Sequence, residues 1–78
     1  MFDYLVSYDL DKPGQNYLQL TQRLEGLAFR RLLFSLWVGS SSYPAESLKN
    51  DLLQRIDAND RLLVVDITGD PHAEFNLM

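Results

Sequence analysis

Phe2-Asp3-Tyr4-Leu5-Val6-Ser7-Tyr8-Asp9-Leu10 alternates between two faces. Phe2, Tyr4, Val6, Tyr8 and Leu10 point one way, and Asp3, Leu5, Ser7 and Asp9 the other. A period of two is the signature of a strand with one side buried. Asp11-Lys12-Pro13-Gly14 then breaks the strand with turn chemistry.

Working outward, the period changes. From Gln15 to Gly26 the apolar residues Tyr17, Leu20, Leu24 and Leu27 recur at spacings of three and four, one face of a helix. Gly26 is placed to end it. Residues 28 to 39 return to strand character and predict two short strands with a reversal near Leu33-Phe34-Ser35. Gly39-Ser40-Ser41-Ser42 reads as a loop. Pro44 suits the first position of a second helix, with Glu46 in its first turn and Leu48, Leu52 and Ile56 on its apolar face. Asn59 suits a left-handed cap. Residues 61 to 68 predict a last strand, with Leu63, Val65 and Ile67 on one side and Leu62, Val64, Asp66 and Thr68 on the other.

The order is β-α-β-β-α-β. With right-handed crossovers it closes into an α+β, ferredoxin-like sandwich, a four-stranded antiparallel sheet with both helices on one face. The expected strand order is 4-1-3-2. If the more apolar sides face the helices, the open face carries Asp3, Leu5, Ser7, Asp9, Leu62, Val64, Asp66 and Thr68. That mixture suits an interface, and Leu5, Ser7, Leu62 and Val64 are the expected dimer contacts.

Composition bounds the rest. Seventy-eight residues give one domain, residues 1–78, with a short tail over 72–78. Such a chain buries only about 60% of its unfolded surface, and without cysteine it has no disulfide to add stability. A second subunit is the expected remedy, so a homodimer is predicted. Hydrophobic residues at 46% and charged residues at 23% are ordinary globular values. No stretch suits a membrane span or a signal peptide, which predicts a cytoplasmic protein. The net charge of -4 disfavours broad nucleic-acid binding, which depends on a basic face.

The run Tyr4-Leu5-Val6-Ser7-Tyr8-Asp9-Leu10-Asp11-Lys12-Pro13-Gly14-Gln15-Asn16-Tyr17 resembles the opening of the small SinR-family proteins of bacteria and phages. Ser35-Leu36-Trp37-Val38 looks like their second hairpin strand. Ile56-Asp57-Ala58-Asn59-Asp60-Arg61-Leu62-Leu63-Val64-Val65 with Thr68-Gly69 looks like their closing strand. That group is similar to the second CRISPR-associated adaptation protein and to virulence-associated protein D. The resemblance implies a ferredoxin-like homodimer and, in some members, endonuclease cleavage of RNA or DNA with Mg2+ or Mn2+. It implies a metal-binding and catalytic aspartate at the end of the first strand, a position held here by Asp9. The acidic balance departs from the basic faces of the CRISPR members, and Phe34 stands where a polar turn residue is expected.

Each candidate has two readings. Asp9 is a metal ligand completed by its copy across a two-fold axis, since Mg2+ usually takes one or two carboxylates plus waters, or an acid that starts a turn. Arg30 and Arg31 form the only adjacent basic pair; one of them shares the open face and is either a phosphate contact or a solvated surface charge. The aromatic residues stack bases or fill the core. His72, with no second histidine or cysteine, supports neither a zinc site nor a Cys-His pair. The serines lack a base partner. Two functions follow. One is a non-catalytic dimeric module, descended from a nuclease-like family, that binds a protein partner. The other is a divalent-metal-dependent endonuclease built on Asp9.

Overall fold

A computed structural model describes residues 1–10 and 17–69 of the chain. The loop expected at 11–14, the helix start at Gln15 and the tail with His72 lie outside them. Four strands and two helices follow the expected order: β1 (Phe2–Asp9), α1 (Tyr17–Gly26), β2 (Arg30–Leu33), β3 (Leu36–Ser41), α2 (Ala45–Leu53) and β4 (Arg61–Asp66). The strands form one antiparallel sheet in the order β2-β3-β1-β4, which is the ferredoxin-like arrangement.

The alternation in β1 divides the molecule. Tyr4, Val6 and Tyr8 go down among Leu20 and Leu24 of α1 and Leu48 and Leu52 of α2, with Phe29 and Trp37 completing the core. Both helices therefore cover the same side of the sheet. Two aromatic hydroxyls enter this core with partners. Tyr4 O–H donates to the Tyr43 carbonyl at 2.7 Å. Trp37 Nε1–H donates to the Tyr8 hydroxyl at 3.2 Å, and Tyr8 O–H donates on to the Phe34 carbonyl at 3.4 Å. A buried hydroxyl or indole N–H would otherwise cost a desolvation penalty.

One local expectation holds and three are corrected. Gly26 ends α1, as expected. The left-handed position is Ala28, at φ 65°. Ala28 N–H reaches the Glu25 carbonyl and Phe29 N–H the Leu24 carbonyl, both at 2.9 Å, which is a Schellman closure with an alanine where glycine is usual. Residues 39 to 41 are strand, not loop, because β1 extends far enough to pair Tyr4, Asp3 and Phe2 with Gly39, Ser40 and Ser41. Pro44 lies one residue before α2, extended at φ -60° and ψ 156°. Asn59 caps nothing left-handed: α2 stops at Leu53, and Gln54 and Arg55 donate to the Asp51 and Leu52 carbonyls in tight turns.

The largest correction concerns β4. Leu62 and Val64 pair with Tyr8 and Val6, and both pack against the core. Asp66 pairs with Tyr4 on that same side. Leu63 and Val65 pair with Ser7 and Leu5 on the open side. The expected sides of β4 are thus exchanged. Leu62 to Val65 are all apolar, so either parity satisfies the alternation, and only the register against β1 chooses between them.

Candidate functional site

The open side of the sheet is built in rows across three strands. Leu5 lies between Val38 and Val65, and Ser7 between Leu36 and Leu63. Leu33 pairs with Leu36 at the β2 edge, past a register shift between Arg31 and Leu33. Leu63 is 59% exposed, Leu33 47% and Val65 38%. An apolar band therefore crosses the uncovered side from edge to edge. Of the four expected interface residues, Leu5 and Ser7 belong to this band. Leu62 and Val64 do not, and Leu63 and Val65 stand in their place.

Charges close both ends of the band. At one end Asp9 pairs with Arg61. At the other, Ser40 Oγ–H donates to Asp3 Oδ1 at 2.5 Å, and Arg30 lies on the same side, opposite Val38. Asp3, Arg30, Val38 and Ser40 help to line an open hollow of about 750 Å3 there. Among the described residues named here the two acids and two bases balance, although the chain carries -4.

Asp9 ends β1, exposed, in a shallow hollow of about 170 Å3 shared with Ser7 and Arg61. Asp3 and Asp66 sit toward the other end of the strand ladder. Among the described residues no three acidic, histidine or cysteine side chains gather as a metal site. Within one chain Asp9 offers a single carboxylate, with Arg61 opposite it on β4.

The adjacent arginines part company. Arg30 takes the open side. Arg31 pairs with Trp37 on the helix side, and its guanidinium stacks over the Trp37 ring at 4.8 Å and the Phe34 ring at 5.9 Å. Of the two, only Arg30 therefore shares the open face. Phe34 occupies the hairpin turn, 70% exposed.

Both ionisable groups of the cross-strand pair Tyr4 and Asp66 are shifted. Burial, then the negative charge of Asp66, raises the Tyr4 phenol above its ordinary value. Hydrogen bonds from Thr68 hold Asp66 below the ordinary carboxylate value; Thr68 N–H meets Asp66 Oδ1 at 2.9 Å.

Sequence reasoning missed a cluster over the helices. Arg23 of α1 reaches Asp51 of α2 with Nε at 2.9 Å and Nη2 at 2.6 Å, both on Oδ2. Arg55 Nη2 reaches Asp51 Oδ1 at 3.3 Å. The Asp51–Arg55 spacing of i to i+4 was the available signal. No spacing announces Arg23, which comes from the other helix. No family model matches the chain, and no solved structure matches it.

Proposed function

We propose that the protein is a non-catalytic, homodimeric interaction module, cytoplasmic, that uses the open face of its sheet, and that it descends from a nuclease-like family. The observation that carries this reading is the apolar band of half-buried Leu5, Leu36 and Val38 flanked by exposed Leu33, Leu63 and Val65, with balanced charge at both ends. Contiguous exposed apolar surface on a small chain points to an interface. Two copies that each carry -4 repel one another, so self-association favours a patch without net charge. With an acid and a base at either end, the face is complementary to a second copy of itself. A further protein partner then docks on the dimer.

Light scattering of the wild type at tens of micromolar tests the reading. A dimer is expected. Leu63→Glu, which places a carboxylate in the band at a position with little packing to lose, is expected to give a folded monomer. A wild-type monomer at high micromolar concentration overturns the reading. The rival endonuclease, with Asp9 paired across a two-fold axis on Mg2+ or Mn2+, is tested by incubating short RNA and DNA with either metal. No cleavage is expected. Cleavage by the wild type that Asp9→Asn abolishes replaces the module with the nuclease.

A further inference from the structure

The cluster over the helices has one more cation than an inter-helix bridge needs. Asp51 supplies a single negative charge, and its two oxygens are divided between two guanidiniums. Its side chain is 17% exposed, and those of Arg23 and Arg55 are 33% and 34% exposed. The donors are therefore held in place yet open to solvent on one side. Asp51 engages Arg23 Nε and Nη2 and one Nη of Arg55. Among the described residues Nε and Nη1 of Arg55 make no hydrogen bond.

The surroundings suit a polar ligand. Arg23 stands between two hollows. One, of about 570 Å3, is edged by Tyr43, Ser47, Asn50 and Gln54. The other, of about 310 Å3, is edged by Gln19, Gln22 and Arg55. Beside the arginines and Asp51, these edges offer amides and hydroxyls, and none is aliphatic. Asp51 and Tyr43 hold the Arg23 guanidinium charged, raising it above its ordinary value. Guanidinium pairs with planar N–H forks are the usual receptors for carboxylate and phosphate oxygens.

We propose that Arg23 and Arg55 form an oxyanion site in this groove, for a carboxylate or phosphate group, with Asp51 occupying it as an internal competitor while no ligand is bound. An entering anion takes the open N–H groups and shares the arginines with Asp51. The site lies over the helices, on the side of the sheet opposite the apolar band, so it stands whether or not that band is an interface.

The test is an NMR titration of the full-length 15N-labelled protein with inorganic phosphate and, separately, acetate, at ionic strength fixed with chloride. The expected result is a saturable shift of the Arg23 and Arg55 Nε–H signals, with the tighter of the two anions naming the source. Arg55→Gln retains the Arg23–Asp51 bridge and is expected to weaken binding about tenfold. Asp51→Asn is expected to tighten it several-fold, because the competitor loses its charge; a purely structural bridge predicts no such gain. Shifts that rise linearly without saturation, an unchanged affinity in Arg55→Gln, or weaker binding in folded Asp51→Asn would each overturn the proposal.

Discussion

The two sides of this sheet are made from the same strands and obey different rules. On the covered side of β1, Tyr4 and Val6 have no exposure and every buried polar atom of Tyr4, Tyr8 and Trp37 has a partner. On the open side the same strand offers Leu5 between two valines and ends in Asp3 and Asp9, with nothing above them among the described residues. The contrast separates two uses of apolar surface. Covered residues hold the monomer together. Open residues leave part of their apolar surface uncovered within the monomer.

The sharpest way to break that contrast is to truncate one leucine on each side. Leu48, fully buried between α2 and the sheet, is expected to cost about 3 kcal/mol as Leu48→Ala, from lost burial and the cavity left behind. Leu63→Ala is expected to change monomer stability by no more than about 0.5 kcal/mol while weakening self-association. Urea melts at low protein concentration read the first quantity and sedimentation equilibrium the second. Equal losses in the melts would mean that the open side is part of the monomer's own core.

Next in size is Gly39, where β3 passes beneath Phe29. A Cβ at this position would stand 2.4 Å from Phe29 Cγ and 2.5 Å from Cδ1, well inside contact distance. Gly39→Ala is expected to cost about 2 kcal/mol by forcing the ring out of the core. Adding Phe29→Leu should recover part of that loss, and a double-mutant cycle measures how much. An additive cycle would show that the clash lies elsewhere.

These positions also show what the sequence could and could not reveal. β1 was legible because polar and apolar residues alternate without ambiguity, and the helices because their leucines recur at three and four. The sides of β4 were not, since Leu62-Leu63-Val64-Val65 fills both parities with apolar residues. Half of the expected interface therefore fell on the wrong side. Gly39 reads as a loop residue in the sequence, although its true role is to let an aromatic ring cross a strand. The end of α1 at Gly26 was legible, but nothing in the sequence marks Ala28, two residues on, as the left-handed position.

Ala28 yields a smaller effect of opposite sign. At φ 65° its Cβ crowds the neighbouring carbonyl, a conformation that glycine adopts without that penalty. Ala28→Gly is expected to stabilise the monomer by about 1 kcal/mol, with no change in self-association. A destabilised Ala28→Gly would mean that the methyl group makes packing contacts worth more than the strain.

The smallest effect lies where the covered side runs out. Tyr4 and Asp66 are cross-strand partners on that side, yet Tyr4 is buried and Asp66 is exposed. The fold opposes charge on Tyr4, whose phenol is raised first by burial and then by Asp66. It favours charge on Asp66, whose carboxyl is lowered by Thr68. The signs fix two pH edges. A raised phenol stabilises fully below its ordinary value of 10.0 and loses that contribution as pH rises through the folded value. A lowered carboxyl stabilises above its ordinary value of 3.8 and loses that contribution as pH falls through the folded value. Tyr4→Phe is expected to remove the alkaline edge while leaving the acid edge in place, at the cost of the hydrogen bond to the Tyr43 carbonyl. Thr68→Val is expected to shrink the acid edge alone, because Asp66 loses the hydroxyl that lowers it and keeps only the Thr68 backbone N–H. Melting temperatures across both edges, at a protein concentration where the wild type is monomeric, separate the two. If Thr68→Val moved the alkaline edge as much as the acid one, Tyr4 and Asp66 would behave as one coupled unit, and the boundary between the covered and open sides would not fall between them.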